Sequence, residues 1–306
     1  MTREEMNEEK QKELFREENK EKTKKIIKIS LKIFFFVLII FMSFFFYTSY
    51  VSTTHIIVKE ERIISGKLPK SFNGVKLIQF SDLHYGSTMY EEDVKKIVKL
   101  INERKPDIVV FTGDLITTKY NLKSEEQERL ISQLKKIDAT LGKYAIMGNE
   151  DGENFITIFN QSGFNVLNNS YDLIYNDDNK PILLTGTNSM LKEQVDLKAT
   201  YGYYSEPTHN SNIFTISLIH EPDLVTEIES LYNVDLYLAG HSHNGNIRIP
   251  YFGSFSNVVG AKEYNNPYYN LGDSQLYISS GLGTNNGLGI RLFCRPSINF
   301  FRLSQD

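Results

Sequence analysis

Five short polar clusters, each at the end of an apolar run, hold the residues of this chain best suited to metal chemistry. They are Ser81-Asp82-Leu83-His84, Thr112-Gly113-Asp114, Gly148-Asn149-Glu150-Asp151, His220-Glu221 and Gly240-His241-Ser242-His243. Asp82 and His84, two apart, can turn toward a common ion. Asp114 follows a glycine that permits close approach and can offer both carboxylate oxygens as a bridge. Asn149 adds a neutral oxygen, and His220, His241 and His243 add nitrogens. A mixed nitrogen and oxygen set without thiolate suits Mn, Fe or Zn better than Ca or soft metals. Two ions about 3.5–4 Å apart are compatible with that many donors. Taken singly, each element has an ordinary explanation: Asp82 could cap a helix, Asp114 could sit in a turn, and a lone histidine is more often structural. All five clusters in this order favour a metal site.

Such clusters meet in space only if the runs before them are strands whose carboxyl ends lie side by side, where open α/β sheets gather their loops. From about residue 67 the chain reads that way. Apolar runs at 75–80, 108–111, 143–147, 214–219 and 236–239 predict strands, with 182–185 as a sixth. Between the first two, Val94, Ile97, Val98 and Ile101 recur at helical spacing, and the helix should end near Lys105-Pro106. Leu130, Ile131, Leu134 and Ile137 repeat the pattern, and Leu224, Val225 and Ile228 do so more weakly. The fold class expected is α/β, built from βαβ crossovers. The stretches 188–212 and 254–273 are rich in Tyr, Asn, Gly and Ser and read as loops. Tyr201, Tyr203, Tyr204, Tyr264 and Tyr268 could contact a substrate there, although ordinary loop tyrosines are the commoner case.

The chain has 306 residues, of which 41% are hydrophobic, enough for one large core and an appendage. A net charge of −4 with no basic cluster gives no reason to expect nucleic-acid binding. The single cysteine, Cys294, excludes an intrachain disulfide and reads as a core residue. Residues 33–51 carry no charge and are long enough to cross a bilayer, which predicts a transmembrane helix. Lys22, Lys24, Lys25, Lys28 and Lys32 precede it and favour a cytoplasmic N-terminus, so the catalytic domain would lie outside the cytoplasm in a single-pass membrane protein. A cleaved signal peptide is the runner-up, but the apolar run is long and lacks a small-x-small site. The organisation expected is a charged cytoplasmic tail at 1–32, the membrane helix at 33–51, a linker at 52–66 and the catalytic domain at 67–306. The tail has few apolar residues and should be a solvated helix or disordered.

In order and local context the clusters resemble the calcineurin-like metallophosphoesterase superfamily. The resemblance runs from Gly74 to about Leu303. It includes Lys105-Pro-Asp-Ile-Val-Val-Phe-Thr-Gly-Asp114, Tyr144-Ala-Ile-Met-Gly-Asn149, His220-Glu-Pro-Asp223 and Ala239-Gly-His-Ser-His-Asn-Gly245. Ser280-Gly-Leu-Gly-Thr284 with Ile290-Arg291 looks like the branch of membrane-associated bacterial phosphodiesterases of the YkuE type. The resemblance implies a layered sandwich, two sheets flanked by helices. It also implies two divalent ions, one held by Asp82, His84, Asp114 and His243, the other by Asp114, Asn149, His220 and His241. In the implied mechanism a bridging hydroxide attacks a phosphodiester or pyrophosphate, with a lipid-linked or envelope ester as the substrate expected for an anchored enzyme.

One residue departs from the pattern. The family usually places a proton-donating histidine directly after the metal-binding Asn, and here that position is Glu150. Glu150 could be a tuned acid, or the leaving group could need no help, or turnover could be slow. A metal-stabilised scaffold that binds a partner with little catalysis is the alternative function. Arg248 and Arg291, each a few residues beyond a site loop, are candidate phosphate clamps, and solvated surface arginine fits them equally.

Overall fold

A computed structural model describes residues 2–118, 120–255, 257–284 and 289–306. The chain forms two compact units, Met1–Thr48 and Ser49–Asp306. In the first, one α-helix runs from Arg3 to Phe46, so the charged segment and the apolar segment are parts of a single helix. Exposed pairs such as Lys22 with Glu18, at 2.7 Å, line its polar part at i,i+4 spacing. Its apolar part leaves Phe34, Phe36 and Phe41 exposed. By length and composition this helix could cross a membrane. A π-helical turn at Tyr47–Val51 and a short turn at Ser52–Thr54 follow it.

The strands of the second unit, in chain order, are β1 (Ile57–Ile64), β2 (Lys76–Phe80), β3 (Ile108–Thr112), β4 (Gly142–Ile146), β5 (Asn165–Val166), β6 (Ser170–Ile174), β7 (Ile182–Gly186), β8 (Thr215–Leu218), β9 (Leu236–Ala239), β10 (Arg248–Ile249), β11 (Gly253–Ser254), β12 (Tyr268–Asn270), β13 (Gln275–Ile278) and β14 (Ser297–Ser304). They build two six-stranded sheets, ordered β1-β14-β2-β3-β4-β5 and β12-β13-β9-β8-β7-β6, plus the hairpin β10-β11. Alternation along β3 shows how the sheets layer. Ile108 and Val110 face inward to a core shared with Ile216, Leu218, Leu236 and Leu238 of the other sheet. Val109 and Phe111 face outward, against Val94, Ile97 and Ile101 of the helix Glu91–Glu103 and Phe155 and Phe159 of the helix Asn154–Gln161. A third core, with Val225, Ile228 and Tyr237, covers the outer face of the second sheet. The result is the expected four-layer sandwich of helices, two sheets and helices.

The six expected strands are present, as is the helix ending before Pro106. Residues 57–64, expected within a linker, instead form β1, paired in parallel with β14 from Ile57↔Ser297 to Ile64↔Ser304. Lys59, Glu60, Glu61 and Arg62 interrupt its apolar pattern because an edge strand needs little burial and charge protects its open side. The domain sheet therefore begins at 57 rather than 67. The stretch 188–212 is not all loop, since Leu197–Thr200 is helical and Gly202–Ser205 forms a 3-10 turn. Tyr201 is buried there with its hydroxyl against Ser217 Oγ at 2.7 Å, and Tyr203 is buried too. These two tyrosines pack the sheet and are not placed to touch a substrate.

Candidate metal centre

The parallel strands β2, β3 and β4 of one sheet and β8 and β9 of the other each deliver a cluster at their carboxyl ends. Beneath the clusters, Gln79 Nε2 donates to Ala239 O at 2.8 Å and to Thr112 Oγ1 at 3.1 Å, tying the two sheets together where the loops leave them. The loops turn sharply. Asp82, His84, Asp114, His241 and His243 all have positive φ, between 45° and 67°, a left-handed conformation that costs a non-glycine residue about 1–3 kcal/mol. Five of seven expected ligands in such a state mark a site held against local preference. Gly148 cannot carry a side chain, because a Cβ there would lie 2.2 Å from Asp114 Oδ1.

All seven expected ligand residues converge. Ligating atoms of Asp82, His84 and His243 lie within 4.8 Å of one another, and so do those of Asp114, His220 and His241. Asp114 stands between the groups, with Oδ2 3.3 Å from His220 Nε2 and 3.8 Å from His84 Nε2. Asn149 Oδ1 is 3.2 Å from His220 Nε2 and 2.8 Å from His241 Nδ1.

The outward hydrogen bonds of the histidines decide what the inward atoms can be. His220 Nδ1 donates to Thr112 O at 2.7 Å, and His241 Nε2 donates to Val259 O at 2.7 Å. Each ring in its neutral form then turns a lone pair toward Asn149 Oδ1, itself an acceptor. On the other side His84 Nε2 and His243 Nε2 face each other at 3.0 Å. The lone pairs of His220 and His241 turned toward the Asn149 carbonyl oxygen in a buried site are what a shared cation satisfies, so the donor set fits divalent metal. Burial opposes charge on His220, yet Asp114 raises its pKa well above the ordinary value. Burial would raise Asp114 in turn, but His220 and His84 hold it well below the usual carboxylate range. Burial, with His84 and Arg291 beside it, keeps His243 well below its ordinary value and so neutral. Protons and metal compete for His220 Nε2, so metal affinity should fall in acid.

Two carboxylates adjacent to ligands had no role assigned from sequence. Asp151 is buried and accepts from the backbone N–H of Asp114 at 2.8 Å, Leu115 at 2.7 Å and Gly148 at 2.8 Å, so it clasps the β3 and β4 loops together. Burial pushes it up to about 7, with the charge of Asp114 adding, while the amides oppose the shift. Asp151→Asn would turn an amide NH2 against those N–H groups. Metal affinity should fall about 10–100-fold, as measured by titration of the metal-free protein. Glu221 is buried and accepts from Ser189 Oγ and from Met190 N at 3.0 Å. The signal was an acid one residue after a ligand for Glu221 and two residues after one for Asp151, each at the end of an apolar run.

Glu150 lies at the rim. Its backbone N–H donates to Asp114 Oδ1 at 2.8 Å, its Oε2 accepts from Thr118 N at 3.2 Å, and Oε2 is 3.6 Å from His84 Nδ1. Arg291 does not behave as expected. Arg291 is fully buried and donates to the carbonyls of Ser280, Gly281, Gly283 and Cys294 at 2.6–3.3 Å, with Nη2 3.3 Å from His243 Nδ1. It is neither a phosphate clamp nor a solvated residue, but positions the loop behind His243. Arg291→Met removes the guanidinium donor from four carbonyls, of which Gly281 O keeps a bond from Ser297 N, and should cost about 3 kcal/mol or more, read as a lowered unfolding midpoint. Arg248 donates to Asn244 O at 3.2 Å, Asn265 O at 3.0 Å and Asn266 Oδ1 at 2.6 Å, bracing a surface loop.

The comparisons with known proteins agree with this geometry. The calcineurin-like phosphoesterase family matches residues 75–245. The chain is 32% identical over 262 residues to the uncharacterised metallophosphoesterase YkuE of Bacillus subtilis, covering 84% of this chain and 88% of that protein. It is 26% identical over 293 residues to UDP-2,3-diacylglucosamine pyrophosphatase LpxG of Chlamydia trachomatis, covering 76% and 85%. It is 27% identical over 235 residues to phosphodiesterase YaeI of Escherichia coli, covering 74% and 82%. With its ligand set gathered at the strand ends, the chain belongs to the calcineurin-like phosphoesterase family and is a metal-dependent phosphoester hydrolase.

Proposed function

We propose that the protein is a membrane-anchored dinuclear phosphoesterase that cleaves phosphodiester or pyrophosphate bonds of a lipid-linked or envelope substrate outside the cytoplasm. The observation that carries the reading is the pair of buried donor groups joined through Asp114. Asp82, His84 and His243 would hold one ion, and Asn149, His220 and His241 the other, with Asp114 shared. Bound Mn, Fe or Zn would supply Lewis-acid charge to the phosphoryl oxygens and a nucleophilic water at neutral pH. The protein's part is to hold the ligands fixed. Carbonyls of Thr112 and Val259 lock two imidazoles in one tautomer, and Asp151 fixes the loops bearing Asp114 and Asn149. The apolar helix and the lysines before it support an anchor with the domain on the far side of the membrane. A relative named for cleaving UDP-2,3-diacylglucosamine, an acylated sugar pyrophosphate, supports the substrate class.

The test is hydrolysis of a chromogenic bis-aryl phosphodiester by the full chain with Mn²⁺, with and without chelator. Chelation should abolish turnover and readdition of Mn²⁺ restore it. Turnover that persists in chelator and in His241→Ala would sink the reading. Glu150 in the family's histidine position also fits a metal-stabilised scaffold of low activity. Binding of Mn²⁺ without turnover of any diester or pyrophosphate would favour that reading.

A further inference from the structure

The hairpin β10–β11 carries an apolar surface beside the metal centre. Between Arg248 and Lys262 the chain has no charged residue, reading Ile-Pro-Tyr-Phe-Gly-Ser-Phe-Ser-Asn-Val-Val-Gly-Ala. At the tip Tyr251 and Phe252 are 106% and 86% exposed, and Phe255 and Phe293 beside them are 75% and 66% exposed. Soluble surfaces rarely leave several large aromatics bare in one place unless something covers them. The same loop reaches the centre: Val259 O holds His241 Nε2, and Arg248 braces Asn244, next to His243.

We propose that this hairpin docks into the interfacial layer of a lipid bilayer, with Tyr251, Phe252, Phe255 and Phe293 among the headgroups and upper acyl chains. Arg248 and Lys262 then lie at the level of lipid phosphates, and the metal centre opens at the bilayer surface. The inference rests on the membrane-anchored reading above. Three observations favour lipid over a protein partner. Only residues 47–56 separate the apolar helix from β1, so an anchored domain stays at high effective concentration near the bilayer. Aromatic rings with basic flanks are the chemistry of the membrane interface and of anionic lipid attraction. An exposure as high as that of Tyr251 belongs to a projecting tip, which enters a fluid layer more readily than it pairs with a flat protein face.

The chain contains no tryptophan, so Phe252→Trp gives a sole reporter at an exposed site. The full-length variant is placed in vesicles of phosphatidylcholine and phosphatidylglycerol, with and without lipids brominated near the headgroup. Phe41→Trp reports the anchor. Tyr175→Trp reports the opposite end of the sheet, since β6 ends there at Ile174 opposite Ile182, the start of β7. The expected result is blue-shifted Phe252→Trp emission that loses most of its intensity to brominated lipid, while Tyr175→Trp is unaffected. Adding Tyr251→Asp and Phe255→Asp to the reporter should restore water-like emission. An unquenched Phe252→Trp beside a quenched Phe41→Trp overturns docking and leaves the anchor standing. A blue shift without quenching means that protein, such as a second copy, covers the tip, and also overturns it. An unquenched Phe41→Trp removes the anchor and the docking together, whereas Mn²⁺-dependent hydrolysis in the same vesicles reports the catalytic reading separately.

Discussion

Asp114→Asn should lower metal-dependent diester hydrolysis about a thousandfold, equivalent to roughly 4 kcal/mol of lost transition-state stabilisation. Asp114 is the residue placed between both donor groups, and its Oδ2 faces His84 and His220. An amide keeps the shape and one oxygen, which can still accept from Glu150 N. It loses the negative charge, and its NH2 would point donors at a site built to face cations. Asp114 N still donates to Asp151, so the loop itself should hold, and circular dichroism of the metal-free variant should match that of the parent. The measurement is kcat/KM on a bis-aryl phosphodiester beside metal content by elemental analysis. Activity within tenfold of the parent, with full metal content, would remove Asp114 from the bridging position.

How much of this was legible in the sequence depended on whether a residue acts through its own type or through its surroundings. The ligands were legible because each cluster ends an apolar run, and parallel strands bring such ends together wherever the loops lead. The strand β1 was not, because Lys59 to Arg62 mask a short apolar pattern that pairing with β14 completes from almost the other end of the chain. Arg291 was misread for a related reason. An arginine beside a site loop suggests phosphate, but the carbonyls of Ser280, Gly281 and Gly283 that bind it lie in a turn whose path the sequence does not reveal. Asp151 and Glu221 were in view as letters of the motifs, yet their roles belong to backbone amides and, for Glu221, the Ser189 hydroxyl, partners that no sequence spacing shows. The positive φ of five ligand residues was equally hidden. It means that part of the stability of the surrounding sandwich is committed to holding donors in a strained array, as sites of this kind commonly require.

The leaving-group dependence of the reaction should turn on Glu150. Its Oε2 accepts from Thr118 N at 3.2 Å and lies 3.6 Å from His84 Nδ1, so the carboxylate is held as an acceptor by the Thr118 amide and stands behind the His84 ring. A carboxylate so placed is a poor proton donor, while a carboxylate behind a ligand imidazole orients that ring. The parent enzyme should therefore expel aryl oxides and phosphate well and alkoxides poorly, giving a steep plot of log kcat/KM against leaving-group pKa. Glu150→His would restore an imidazole able to donate and should raise turnover of alkyl diesters by about 10²–10⁴, with little gain for aryl diesters or pyrophosphates. Glu150→Gln separates the second role, because it keeps size but weakens support for His84. Metal affinity should fall about tenfold or more while the steepness of the plot stays unchanged. If Glu150→His left the slope unaltered across the series, Glu150 would have no part in the proton inventory of the reaction, and its place in the site would be that of a brace for His84 alone.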